Sequence, residues 1–290
     1  MQLVLLAAGF GRRFGGLKQL APVGPNGEAV MDYTAFGARR AGFDEVILIV
    51  REEVQDELLE HIEGHWPDDL RVTPVVQGPV AGTTQAVASA APHVTAPFGV
   101  ANADDLYGDD GLATLASEVK ALSGSGGDAD KVSEHVIVAY RLADTIIGDA
   151  AVTRGICRVD DTGHLTELVE HTVCQEYNGF FLARPLGADP ELPGTELTGD
   201  EETSMNLWGF SPAIFGDLDF ALAAFDPSSL PEVDGKPPEL LLPSVVGELV
   251  AEGRAGVRVT LTKGRCIGIT HPDDLPVVRK FLAELGAPAG

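Results

Sequence analysis

Cysteine is scarce in this chain: of its 290 residues only Cys157, Cys174 and Cys266 are thiols, far apart, odd in number and without a C-x-x-C pair. That excludes a disulfide framework and argues against a zinc or redox motif; reduced, partly buried thiols are the expectation. Long apolar runs are also missing. None approaches the length of a membrane span. The run at the N-terminus is six residues long, with neither a basic start nor a small-residue cleavage site, so it reads as a strand and not a signal peptide. Positive charge is short as well, with 20 Lys and Arg against 44 Asp and Glu and a formal net charge of −24. Such a balance disfavours a nucleic acid or an anionic membrane as partner. The acidity itself needs no explanation beyond solubility. A cytoplasmic protein is expected. No internal repeat and no interdomain linker is visible.

Against this acidic background the first twenty residues stand out. An apolar run over 3–8 breaks at once into a loop holding Gly9, Gly11, Gly15 and Gly16 together with three cations, Arg12, Arg13 and Lys18. Glycines after a strand let backbone N–H groups approach a phosphate closely. Cations in the same loop are what a triphosphate and a departing pyrophosphate require. Two common glycine loops do not fit. The dinucleotide fingerprint G-x-G-x-x-G needs a glycine where Phe14 stands, which argues against an NAD(P)-dependent oxidoreductase. The P-loop G-x-x-x-x-G-K-[ST] needs a lysine where Leu17 stands, and no Ser or Thr follows.

Strand and helix patterns alternate through the first half. Helices are predicted at 31–41, 55–64 and 83–91, the last stopping at Pro92. Strands are predicted at 45–50, 70–76 and 97–103, the last ending at Asp104 and Asp105. Repeated units of this kind imply right-handed crossovers and a doubly wound α/β sheet, with ligands at the carboxyl ends of the strands. A Ser/Gly-rich surface loop is predicted at 123–130 and a strand at 131–142. The pattern is β-rich over 155–181, with a hairpin turn at 160–163. A strand at 204–210, a helix at 240–252, two strands within 258–269 and a closing helix at 271–285 complete the reading.

The run Leu6-Ala7-Ala8-Gly9-Phe10-Gly11-Arg12-Arg13-Phe14, followed by Lys18, resembles the signature of the nucleotidyltransferase superfamily, the sugar-nucleotide pyrophosphorylases among them. Glycines, arginine and lysine agree in type and spacing. The resemblance implies a Rossmann-like, mostly parallel sheet with a β-rich acceptor-binding insertion in the second half. It implies one domain over 1–290, with a nucleotide-binding half at 1–110 and an acceptor-binding half at 111–290. The reaction implied is Mg²⁺-dependent: a phosphorylated acceptor, foremost a sugar 1-phosphate, attacks the α-phosphorus of a nucleoside triphosphate and pyrophosphate leaves. The alternatives are a cytidylyltransferase acting on a non-sugar phosphate or phosphonate, and a non-catalytic nucleotide-sugar-binding homologue. The partners are thus an NTP and a small phosphorylated molecule; a homo-oligomer is left open.

Residue by residue, the resemblance gives Arg13 the β- and γ-phosphates, Lys18 the α-phosphate and Asp104 the Mg²⁺, with Asp105 as second carboxylate. Mg²⁺ takes oxygen ligands and bridges phosphate oxygens, hence the acid at a strand end. Ala8, Gly9 and Gly11 would line the phosphates, the two glycines through backbone N–H groups. Gln77, Gly82 and Thr83, in the loop after the 70–76 strand, would hold the base. In the second half, Glu170-His171-Thr172 resembles a Glu-Lys-Pro segment in which glutamate binds sugar hydroxyls and lysine the sugar phosphate; His171 replaces that lysine. Asn206 would be a polar contact of the acceptor pocket, with Trp208 in the core. The segment 268–275 resembles a metal-binding end motif, but Thr270 stands where a second carboxylate is expected. A second metal ligand must then come from elsewhere, with Asn206 a candidate, or water must fill its place. Asp273 and Asp274 read as a helix N-terminal turn.

Overall fold

The structure is a computed structural model, and it describes residues 1–9, 17–79, 82–124, 132–148, 150–176, 179–189, 193–229, 238–269 and 274–285. Four strands, β1 (Gln2–Leu6), β2 (Glu45–Val50), β3 (Arg71–Val76) and β4 (Phe98–Asn102), run parallel in the spatial order β3-β2-β1-β4. The connections carry α1 (Val30–Ala41), α2 (Gln55–His65) and α3 (Thr83–Ala88). The apolar runs explain why these strands lie centrally. Leu3 and Leu5 of β1 join Val46, Leu48 and Val50 of β2 on one face, in a core shared with α1 and α2. Val4 and Leu6 join Ile47 and Ile49 on the other, in a core shared with α3. A strand buried on both faces has no polar side to show, so it reads as a continuous apolar run.

The chain continues through β5 (Asp105–Leu106), α4 (Gly108–Gly124), β6 (Ser133–Arg141), β7 (Val152–Val159), β8 (Leu165–Gln175), β9 (Phe181–Pro185), β10 (Thr195–Leu197) and β11 (Glu202–Phe210). Then follow α5 (Ile214–Ala224), α6 (Leu242–Ala251), β12 (Ala255–Leu261), β13 (Ile267–Gly268) and α7 (Leu275–Leu285). β11 is the junction of the eleven-stranded sheet. One of its edges pairs antiparallel with β6, and β6 pairs parallel with β12. Its other edge is shared: Trp208–Phe210 pair with β4, and Thr203 and Ser204 pair with β7. From β7 the sheet extends as an antiparallel wing, β7-β8-β9-β10. β5 and β13 form a separate two-stranded ribbon. Its Leu106 and Ile267 pack with Val278 and Leu282 of α7. Among the described residues no helix is long and apolar enough to cross a membrane.

The expected alternation in the first half and the β-rich second half are both present. Two helices were not anticipated. α4 carries Gly108, Gly111 and Gly124, residues that weaken a helical pattern read from propensity. α5 is apolar almost throughout, so it lacks the period that marks an amphipathic helix. The predicted 123–130 loop overlaps the end of α4 and otherwise lies outside the described residues. The predicted 83–91 helix ends at Ala88 and is followed by a 3-10 turn at Ala91–His93.

One buried base ties this sheet to pH. His135 of β6 is 1% exposed and packs edge-on against Phe210. Its Nδ1 accepts a hydrogen bond from the Ser211 N–H at 3.2 Å, so the neutral ring carries its proton on Nε2, which faces Ser133 Oγ at 3.2 Å. Burial pushes its pKa down from 6.5 to about 4. A base whose folded pKa is depressed is matched to the unfolded chain above pH 6.5. Stability is lost as pH falls, because the unfolded chain takes up the proton first. We predict a loss of about 3 kcal/mol from this ring between pH 6.5 and 4. Urea midpoints measured across that window should fall more steeply in the wild type than in His135→Gln; parallel curves would refute the assignment.

Candidate active site

The parallel pairing of β1 with β4, in which Leu6 lies beside Asn102, brings the loops after both strands to one place. Just past β1, the Ala7 carbonyl accepts from buried Gln19 Nε2 at 2.9 Å and the Ala8 carbonyl from Arg51 Nε at 3.0 Å. With both carbonyls held by side chains, the backbone is fixed at the mouth of the glycine loop. Among the described residues, the N–H groups of Ala8 and Gly9 have no protein acceptor. Gly11 and Arg13 lie outside the described residues. The chain resumes at Leu17, and Lys18 opens a single 3-10 turn, Lys18–Leu20.

Lys18 Nζ reaches Asp104 Oδ2 at 2.8 Å, an ion pair between residues 86 positions apart. The lysine side chain is 16% exposed and the aspartate 38%. Asp105 is the opposite case. Its carboxylate is buried, and its Oδ2 accepts from Asn102 Nδ2 at 2.8 Å. Burial, and then the neighbouring Asp104 charge, push the Asp105 pKa up to about 6, against the pull of Lys18 and Asn102. Of the two acids, Asp104 is therefore the one open to an incoming ligand. Among the described residues no three His, Cys, Asp or Glu side chains converge as a metal cage. A magnesium site needs none, because one or two carboxylates with substrate phosphates and waters suffice. The hard oxygen donors of Asp104 and Asp105 fit such an ion.

Behind the acids runs a polar relay. Trp208 Nε1 donates to Asn206 Oδ1 at 2.7 Å, and Asn206 Nδ2 donates to Asn102 Oδ1 at 2.8 Å. Tyr107 OH donates to the Met205 carbonyl at 2.9 Å and accepts from the Asn102 N–H, also at 2.9 Å. Asn206 sits at φ +59°, where the register of β11 against β6 shifts between Ser204 and Trp208. Asparagine tolerates that left-handed conformation better than other side chains do. Both ends of its amide are engaged by the protein, and Trp208 is core, as expected, yet also orients the site.

The remaining predicted residues form two further groups. Gln77, Gly82 and Thr83 stand after β3. Gln77 Nε2 donates to the Gly82 carbonyl at 3.2 Å, Thr83 Oγ1 accepts from the Leu242 N–H at 2.8 Å, and the Thr84 N–H donates to the Leu240 carbonyl at 3.1 Å. Gly82 is at φ +116°, and a Cβ there would collide with the Leu240 backbone. This loop is thus strapped to the segment that enters α6. Glu170 of β8 lies opposite Gly155 of β7, whose other neighbour is Ser204 of β11. Its Oε1 would lie 3.2 Å from a Cβ at position 155, so glycine is what lets the carboxylate lie across β7 toward β11. Burial raises the Glu170 pKa, with Arg154 opposing. Glu170 also lines a groove of about 480 Å³ between β8 and α6, with Leu168, Leu186, Leu241 and Ser244. His171 is held by its own backbone, Nδ1 facing the Val169 carbonyl at 2.8 Å. Thr270 and Asp273 lie outside the described residues.

Sequence reasoning missed Asn102, Tyr107 and Arg154. Asn102 was signalled only by its place one residue before Ala103-Asp104. Arg154 is 7% exposed, and its guanidinium donates to Thr145 Oγ1, the Thr145 carbonyl and the Thr153 carbonyl. Burial lowers its pKa, against the pull of Asp105, Cys266 and Glu170. No motif flagged it, because two of its three acceptors belong to Thr145, in a turn that precedes β7.

The relay gives a direct expectation. Asn206→Ala removes two half-buried hydrogen bonds and puts a Cβ-bearing residue without a polar side chain in the left-handed region, so it should cost about 2–3 kcal/mol. Asn206→Gly loses the same bonds but keeps the backbone relaxed, and should retain about 1 kcal/mol of that. Urea unfolding of the two variants checks this; equal losses would mean the backbone at 206 is unstrained.

Residues 3–143 match the family described as the MobA-like NTP transferase domain. No curated protein matches the chain. Among solved structures, the chain is similar to a Bacillus anthracis protein assigned as a glucose-1-phosphate thymidylyltransferase and bound to sucrose, at 12% identity and a TM-score of 0.65, over 99% of this chain and 97% of that one. It is similar to the inositol-1-phosphate CTP transferase from T. maritima at 14% identity and a TM-score of 0.61, over 99% and 97% of the two chains. It is also similar to a UDP-glucose pyrophosphorylase complexed with UDP-glucose, at 14% identity and a TM-score of 0.62, over 98% of each. At these identities the likeness to the solved structures is one of fold.

Proposed function

We propose that this chain, a member of the nucleotidyltransferase superfamily through its MobA-like NTP transferase domain, transfers a nucleotidyl group from an NTP to a sugar 1-phosphate or a closely related small phosphorylated acceptor. The observation that carries the reading is the Lys18–Asp104 pair, one cation and one open carboxylate side by side at the carboxyl ends of adjacent parallel strands. An oxygen of the acceptor phosphate attacks the α-phosphorus, the bond to the β-phosphate oxygen breaks, and pyrophosphate leaves. The acceptor is already an anion at neutral pH, so no protein nucleophile is required. The protein positions the reactants and neutralises charge.

In this reading Lys18 meets the charge that builds on the α-phosphate, and Arg13 takes the β- and γ-phosphates of the leaving group. The N–H groups of Ala8 and Gly9, with Gly11, line the phosphates. Gln77, Gly82 and Thr83 frame the base, and Glu170 and Asn206 face the acceptor. Asp104, the open acid, would hold Mg²⁺ with Asp105 as the second carboxylate behind it, and the ion would neutralise phosphate oxygens. The neighbours' printed substrates, a glucose or inositol 1-phosphate and a UDP-sugar, support the acceptor class.

The test is pyrophosphate release with Mg²⁺ across a matrix of NTPs and phosphorylated acceptors. One active pair is expected and would name both substrates. Arg13→Ala and Lys18→Ala should each then lower kcat by about 100-fold or more, the scale of losing one charge-stabilising donor. Wild-type turnover in either variant would overturn the assigned roles, and NTP binding without turnover on any acceptor would favour a non-catalytic homologue.

A further inference from the structure

The Lys18–Asp104 pair has a consequence for the order of binding, which rests on the reading just proposed. Asp104 is the more open of the two acids, yet it is engaged, because Lys18 Nζ lies 2.8 Å from its Oδ2. The lysine side chain is held against the protein at 16% exposure. Among the described residues Asp104 is its sole anionic partner within ion-pair distance. A divalent cation bound by that carboxylate would sit at ~2.0–2.1 Å from an oxygen. It would then lie within a few ångströms of the ammonium, and in a partly buried site two such charges repel strongly. The ammonium and the cation therefore compete for one carboxylate.

We infer that Lys18 is a built-in counter-ion which holds the cation's place on Asp104 in the free protein and is handed over to a phosphate of the incoming nucleotide. The exchange is favourable only when both arrive. A divalent ion alone displaces Lys18 but leaves it without an anion in an enclosed position. A polyphosphate alone draws Lys18 away but leaves Asp104 uncompensated beside Asp105, the buried acid that also draws on Lys18's charge. Together, each newcomer supplies the partner that the other removes. Metal and polyphosphate thus bind with positive coupling, and by linkage each tightens the other by the same factor. In a chain with a net charge of −24, the device keeps this carboxylate from collecting loose divalent cations when no nucleotide is present.

The experiment is Mn²⁺ titration of the full chain, with free Mn²⁺ read by electron paramagnetic resonance and folding checked by thermal melts. Without polyphosphate, Lys18→Met should bind Mn²⁺ roughly tenfold more tightly than the wild type, although it is the less active enzyme. Lys18→Arg, which keeps the charge, should bind as weakly as the wild type. Lys18→Met combined with Asp104→Asn should lose the gain. Inorganic tripolyphosphate should tighten Mn²⁺ binding to the wild type beyond what tripolyphosphate alone retains, and by a smaller factor in Lys18→Met. If Lys18→Met does not fold, Lys18→Gln replaces it, and the wild-type tripolyphosphate coupling still decides. Equal or weaker Mn²⁺ binding in the neutral variants, with Asp104→Asn weakening both, would overturn the exchange while leaving the metal site standing. Absence of Mn²⁺ binding in every form, together with no pyrophosphate release, would overturn the nucleotidyl-transfer reading and the exchange with it.

Discussion

The side-by-side parallel pairing of β1 and β4 is the constraint on which the rest of the site depends. Parallel strands end at the same level, so the loops that follow them open together. Here those loops deliver Lys18 and Asp104 to a 2.8 Å contact across 86 residues. Both strands are buried on both faces, with Leu3 and Leu5 in one core and Val4 and Leu6 in the other. A slip of register would expose no polar face that water could reward, and would break the packing on each side. The candidate site is placed by strands buried on both faces, not by the loops that carry its chemistry.

The polar groups behind the acids serve a second purpose, because they join the two halves of the chain. Asn206 and Trp208 belong to β11, and Asn102 and Asp105 to the end of β4 and the turn beyond it. β11 is also the strand shared by the parallel set and the antiparallel wing. Gly155, beside which the Glu170 carboxylate lies, pairs with Ser204 of that same strand. Buried relays of this kind are costly when one member is missing, so they hold one geometry rather than several. The left-handed Asn206 lies between the part of β11 that pairs with β7 and the part that pairs with β4.

The electrostatics are set by contrast. The chain is strongly acidic, and Asp105 and Glu170 both have raised pKa values because they are buried. Among the described residues the cations near them are few and well held. Lys18 lies on Asp104, and Arg154 is fastened by three acceptors from the protein. Fixed cations among partly desolvated acids are suited to receiving an anion, because charge that arrives there meets donors already in place.

How much of this was legible in the chain follows from the range of the interactions. The apolar runs of β1 and β2, the glycine loop and the acid pair after β4 are short-range patterns, so the alternating α/β order could be read from sequence alone, and the glycine loop and Asp104 stood out there as candidates. α4 escaped because its glycines weaken the helical signal, and α5 because an almost wholly apolar helix has no period. Asn102, Tyr107 and Arg154 escaped because each has its meaning only through a partner far along the chain, such as Met205 for Tyr107. Likewise, nothing local said that Thr83 would tie its loop to Leu242, or that Asp104 would be open and Asp105 buried. Adjacent acids are equivalent on paper. Only the packing of β5 against β13 and the relay from β11 decided which one faces solvent, because burial is a property of what lies across the fold and not of the neighbours in sequence.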